Sequence, residues 1–265
     1  MKTQRDIARL LVDSSAQGTL SADSLRALQD IPGVQHEVGR SLGDSVPEDL
    51  NDLLLLSILV DDSGSIAWAK NTRAVQNGHN RVVQVVLEAG IARNVLLQTR
   101  FLNGKVVNPY VPLLKADPLD SGNYGEHEFG GTPLYEQSVV LLGSVAAKTR
   151  ELEAKGKSAR SITLIITDGD DQHSGKITAG HVAWLANDLR RSKRHIVAGM
   201  GVEDGSTNFR RIFREMGIPD KWHLTPNADP SAIIQAFKDF GEAAAKASID
   251  PASFERLALG PGFSQ

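Results

Sequence analysis

The stretch Ser57-Ile58-Leu59-Val60-Asp61-Asp62-Ser63-Gly64-Ser65 decides how the rest of the chain is read. Together with the leucines before it, the run from Leu53 to Val60 is apolar except at Ser57. It is too short to span a bilayer and too continuous for a strand with one wet face. A central parallel strand, covered on both sides, accommodates such a run. At its carboxyl end Asp61, Ser63 and Ser65 occupy alternate positions, and in a loop curling around Gly64 their oxygens can converge on one point. Hard cations such as Mg2+ take oxygen ligands of this kind.

Three ligands do not fill an octahedron, so further oxygens have to come from the ends of neighbouring elements. Two other stretches offer them. Gly130-Gly131-Thr132-Pro133 places a hydroxyl where a loop turns into a helix, with Thr132 as expected N-cap and Pro133 as first helical residue. Residues 161–169, Ser-Ile-Thr-Leu-Ile-Ile-Thr-Asp-Gly, end a second apolar strand in Asp168.

Asp61-x-Ser63-x-Ser65, Thr132 in Gly-Gly-Thr-Pro, and Asp168 in Thr-Asp-Gly together resemble the metal-ion-dependent adhesion site of von Willebrand factor A domains, over roughly residues 52–245. The resemblance implies a doubly wound, mostly parallel six-stranded α/β sheet of Rossmann-like type, in the order 3-2-1-4-5-6 with an antiparallel edge strand. It implies a site for Mg2+ or Mn2+, ligated directly by Ser63 and Ser65, directly or through water by Thr132, and partly through water by Asp61 and Asp168. An acidic residue of a partner protein would complete the coordination. Soluble intracellular members of the family often serve as adaptors for AAA+ ATPases of the MoxR type, which gives the expected partner.

At 265 residues, the chain is long enough for one well-buried α/β domain with an appendage. Its 29 basic and 32 acidic residues leave a net charge of −3, so no overall field favours nucleic acid or an anionic membrane. The amino-terminal residues intersperse charges among apolar positions and lack the continuous core of a signal peptide, which gives the expectation of a cytoplasmic protein; that it is bacterial is a separate expectation, made with the interaction-module reading. There are no cysteines, hence no disulfides and no thiolate chemistry.

Residues 1–48 read as a helical extension and linker, 49–247 as the main domain and 248–265 as a partly ordered tail. Ile7, Leu10 and Leu11, then Leu25, Leu28 and Ile31, mark two short amphipathic helices, while the Gly, Ser and Pro content of residues 32–49 suggests a linker. The turn between the helices, residues 13–24, faintly resembles a calcium-binding loop but has Ser24 where a bidentate carboxylate belongs. A helix is expected from Ser65 to about Ala89, a strand over residues 95–102, and, after the tight turn at Asn103-Gly104, an antiparallel neighbour. Residues 109–131 form a long loop, and the remainder alternates helix and strand in the manner of a doubly wound sheet.

Around the expected metal, Asp62, Asp170 and Asp171 form an acidic rim, and Trp68 reads either as a rim anchor for a partner or as a residue buried against the sheet. His173 lies in the loop after Asp168, but imidazole suits Mg2+ poorly, so it reads as loop surface. Arg190-Arg191-Ser192-Lys193-Arg194 invites a nucleic-acid reading, although cations at a helix carboxyl end also complement its dipole.

The sequence therefore points to a non-catalytic interaction module. A metal-dependent phosphohydrolase is the rival, since acidic strand ends also serve phosphoryl transfer. Against it, Ser63 stands where a haloacid-dehalogenase-type enzyme needs a second Asp, and neither a phosphate-binding glycine loop nor a Gly-x-Ser-x-Gly elbow occurs. A third reading is a scaffold whose contacts come from the amino-terminal helices.

Overall fold

The computed structural model describes residues 2–125 and 131–263. The apolar run is strand β1 (Asp52–Val60), and every residue in it after Asp52 is buried. Parallel β2 (Val95–Phe101) lies on one side, in register from Leu54 opposite Val95 to Val60 opposite Phe101, and parallel β4 (Ser158–Thr167) on the other. An antiparallel edge strand, β3 (Val106–Pro112), follows β2, while β5 (His195–Gly201) and the short β6 (His223–Leu224) extend the sheet beyond β4. The resulting order, β3-β2-β1-β4-β5-β6, is that of a doubly wound α/β sheet, with β1 at its centre. Ser57, the polar interruption in β1, is accounted for by a 2.7 Å hydrogen bond between its hydroxyl and that of the buried Tyr110 on β3.

Helices cover both faces. On one, α5 (Thr72–Glu88) and α9 (Pro230–Ile249) pack together, with α9 lying over β1 and β4. On the other, α6 (Leu134–Glu153) covers β1 and β4, and α7 (Ala179–Arg191) covers β5. The helix expected from Ser65 to Ala89 is two helices, α4 (Gly64–Trp68) and α5, separated where Lys70 adopts a left-handed φ of 61°.

The amino-terminal segment is part of the core rather than an appendage. Residues 4–16 and 22–29 form α1 and α2 as expected, but the supposed linker contains a third helix, α3 (Val34–Leu42), whose buried Val34, Val38 and Leu42 recur every fourth residue. These helices pack on α6 and α7 and close over the outer side of α6, which explains why α6 is buried nearly all round. Gly143 of α6 marks how closely α2 approaches, since a Cβ there would lie 2.5 Å from Leu28. Polar anchors reinforce the packing: the fully buried Lys148 donates to the carbonyls of Leu42 (2.9 Å) and Ser45 (3.0 Å), and Arg100 on β2 reaches the carboxylate of Glu37. At the other end, residues 251–259 of the expected tail form helix α10, capped by Asp250 and held by the buried Phe254, while α8 (Phe209–Glu215) lies between β5 and β6 in sequence.

Candidate functional site

Ligands in sheets of this kind bind beyond the strands' carboxyl ends, and the end of β1 is folded by its own side chains. Asp61 Oδ1 accepts the Ser63 N–H at 2.8 Å, an Asx turn that reverses the chain into α4. The other oxygen, Oδ2, accepts the Thr167 hydroxyl at 3.0 Å and the Asp168 N–H at 3.2 Å, which joins the end of β1 to the end of β4. Ser65 Oγ donates to Asp168 Oδ1 at 2.7 Å and lies 2.9 Å from Ser63 Oγ. Thus Asp61, Ser63, Ser65 and Asp168, from stretches more than a hundred positions apart, form one hydrogen-bonded cluster.

Thr132 is brought to the same end of the sheet by different contacts. Its N–H donates to His173 Nδ1 at 3.0 Å and its carbonyl accepts from the Gln172 N–H at 3.1 Å, so the loop after Asp168 holds it. The expectation that Thr132 caps α6 needs correction. Pro133, with ψ of 58°, lies outside the helix, and the free N–H groups of Tyr135 and Glu136 are taken by Asp171 Oδ1 (3.0 Å) and Ser174 Oγ (2.9 Å). Gly130 of the same turn lies outside the described residues.

The electrostatics of the cluster are unfavourable as it stands. Asp61 is fully buried and Asp168 is 5 % exposed. Among the described residues neither carboxylate forms an ion pair with Lys or Arg. Burial, with the Asp61 charge as the next contribution, raises the pKa of the Asp168 carboxyl to about 6. Asp204, in the loop after β5, adds to the repulsion. Its own acidity, opposed by burial, is held near 2 by hydrogen bonds from Thr207 and Ser206.

Two buried carboxylates with hydroxyls between them and no protein cation suit a hard dication, which would supply the missing positive charge. No three His, Cys, Asp or Glu side chains gather as a metal site among the described residues. A cation here therefore depends on serine and threonine oxygens beside Asp61 and Asp168, and this donor set fits Mg2+ or Mn2+ better than a softer metal.

The acidic rim differs from expectation. Asp62 is not at the surface: it is 5 % exposed, accepts the Asn103 N–H at 3.1 Å through Oδ1, and leaves Oδ2 buried without a partner among the described residues. Burial raises its pKa to about 6. Asp171 serves as the cap of α6, and Asp170 accepts the Tyr135 hydroxyl at 3.2 Å and faces Arg211 at 3.6 Å, so neither is a free surface charge. Trp68, by contrast, is 86 % exposed at the end of α4, one turn beyond Ser65.

Thr167 and Tyr124 are not singled out from the sequence, and His173 reads there as loop surface only. The Thr167 hydroxyl locks Asp61, the Tyr124 hydroxyl donates to the Asp61 carbonyl at 2.7 Å, and His173 orients the Thr132 backbone. Only Thr167, beside Asp168 in Thr-Asp-Gly, carried a local signal.

No family model and no curated protein sequence matches the chain. Solved structures with similar coordinates include proximal thread matrix protein 1 from the mussel byssus, at 16 % identity over 73 % of this chain and 49 % of that one, with a TM-score of 0.48. The pilus adhesin SpaC from Lactobacillus rhamnosus GG follows at 13 % identity, 76 % and 31 % coverage and a TM-score of 0.48. The manganese-loaded TRAP protein of Plasmodium vivax is matched at 15 % identity, 71 % and 74 % coverage and a TM-score of 0.43. The chain spans about half or less of the first two. Among the described residues no helix is long and apolar enough to cross a membrane.

Proposed function

We propose that the chain is a non-catalytic, metal-dependent protein-interaction module of the von Willebrand factor A type. The observation that carries this reading is the joining of the buried Asp61, Ser63 and Asp168 and the exposed Ser65 into one hydrogen-bonded cluster with no protein cation among the described residues. Asp61 and Asp168 would hold Mg2+ or Mn2+, with the Ser63, Ser65 and Thr132 hydroxyls adding ligation without charge. Bound there, the ion would offer an electrophilic coordination place to the carboxylate of a partner's Asp or Glu.

The protein's own residues prepare the contact. Thr167 and the Asp168 N–H fix the Asp61 carboxylate, so its direction is set before a partner arrives. Trp68 offers an exposed indole beside the site, of the kind enriched at binding hot spots. With Asp62 buried and Asp170 and Asp171 engaged, an acidic partner meets less repulsion than the charges alone suggest. The reading of the chain as an intracellular adaptor for a MoxR-type AAA+ ATPase rests on the sequence resemblance.

Affinity purification on the immobilised full chain, with Mg2+ and with excess EDTA, tests this reading. Capture of a specific partner should require the metal and fall in Asp61→Ala and Trp68→Ala. Undiminished capture in EDTA would rule out the metal bridge, and a captured set without an AAA+ ATPase would remove the adaptor role.

A further inference from the structure

The basic run at residues 190–194 is not used by the metal cluster and lies at the opposite end of the sheet. There the end of α7, the first residues of β5, the segment before β6 and the end of α10 enclose a cavity of about 370 Å³. Its lining includes Arg190, Arg191, Lys193, His195, Lys221 and Trp222, and contains no carboxylate.

The charges facing this cavity are largely uncompensated. Arg191 pairs with Asp188 at 3.0 Å. Among the described residues Arg190 donates only to neutral oxygens, the Asn187 amide at 3.1 Å and the Gly217 carbonyl at 2.9 Å. Lys221 likewise donates to the carbonyls of Ala258 (2.8 Å) and Gly260 (2.9 Å). Burial, and after it the Arg190 charge, lowers the pKa of the Lys221 ammonium, as expected of two cations that approach one another with no anion between them. Lys193 enters the same wall through a left-handed turn with φ of 57°.

His195 adds an independent observation. The residue is 3 % exposed and lines the cavity, and its Nδ1 lies 2.8 Å from Ser161 Oγ. Its Nε2 is buried and has no hydrogen-bond partner among the described residues. Burial holds the ring neutral, and in the tautomer in which the Ser161 hydroxyl donates to Nδ1, Nε2 carries the hydrogen and lacks an acceptor among the described residues. A buried donor of this kind destabilises the fold unless a ligand or water satisfies it.

The helix dipole accounts for Arg190 and Arg191 at the carboxyl end of α7, but not for Lys221 or His195, which come from other segments. Guanidinium, ammonium and imidazole N–H donors converging in a concave, partly dry site match a compact dianion with several acceptor oxygens. We propose that this cavity binds a phosphate group, either free or carried by a small phosphomonoester.

Calorimetric titration of the full chain at low ionic strength, first with inorganic phosphate and then with phosphoserine, tests this. Saturable binding of one phosphate per chain is expected. Affinity should fall by about tenfold or more in Lys221→Gln and Arg190→Gln, each of which removes a charge-assisted donor. Because those residues also brace the fold, the double variant Arg191→Ala with Lys193→Ala, altered at exposed positions, serves as a second arm and should lose about threefold. Asp61→Asn should bind as the unmodified chain does. Tighter binding of phosphoserine identifies a phosphorylated ligand, and tighter binding of phosphate the free ion. Absence of saturable binding to both, or equal affinity in every cavity variant, overturns the proposal, as does binding confined to duplex DNA.

Discussion

Replacing Asp168 by Asn removes one of two buried carboxylates while retaining an Oδ1 that accepts from Ser65 and the N–H that reaches Asp61. In the native cluster the Asp168 carboxyl titrates near 6 instead of 3.8. The folded state therefore binds the proton more tightly than the unfolded state, and stability falls as pH rises from about 4 through about 6. A displacement of about 2 units at 1.36 kcal/mol each sets an upper figure of about 3 kcal/mol for the cost of holding the charge above pH 7. Since an amide also loses hydration on burial, the relief in Asp168→Asn should be roughly 1–2 kcal/mol. Urea denaturation in EDTA at pH 8 should thus find the variant more stable than the native chain, and the difference should vanish near pH 4. With saturating Mg2+ the order should reverse, because only the native chain gains from binding, by about 2.7 kcal/mol at a hundredfold excess over Kd. A variant less stable than the native chain in EDTA at pH 8 would refute the reasoning, since it would mean that the Asp168 charge is already compensated within the protein.

Arg100 is fully buried and, among the described residues, has its only carboxylate contact with Glu37 of α3, so Glu37→Gln should destabilise by roughly 2–4 kcal/mol in chemical denaturation; a loss below about 0.5 kcal/mol would detach the amino-terminal helices from the core. For the same reason deletion of residues 1–48 should give an unfolded or aggregated chain by circular dichroism, and a well-folded truncation would contradict the packing of α1 to α3 on α6. At Gly201 an added Cβ would sit 2.1 Å from the Phe209 ring, so Gly201→Ala should cost about 1–3 kcal/mol, read from the shift in denaturation midpoint.

The parts of this molecule that sequence made legible are those decided by neighbours along the chain. Leu53 to Val60 specify a buried strand by their own unbroken hydrophobicity, and Asp61 and Asp168 end their strands because Gly64 and Gly169 follow in polar loops. Helix α3 was hidden because its interior carries Gly39 and Ser41, and its apolar positions, Val34, Val38 and Leu42, are few. Their spacing was present but sparse. The capping of α6 was illegible for a different reason: Asp171 and Ser174 lie more than thirty residues away, and nothing local distinguishes them from Thr132 as cap. Likewise, the burial of Asp62 depends on Asn103 in the β2–β3 turn, whereas the exposure of Trp68 follows from the break at Lys70, which no residue preference announces.

The central claim, that Asp61, Ser63, Ser65, Thr132 and Asp168 gather around one dication, is tested most directly by calorimetric titration of the EDTA-stripped full chain with Mg2+ and Mn2+. The account predicts one saturable site per chain, release of protons when the titration is run near pH 6 as Asp168 gives up its hydrogen, and loss of binding in both Asp61→Asn and Thr132→Ala. Binding that is absent, or that persists unchanged in both variants, would contradict it.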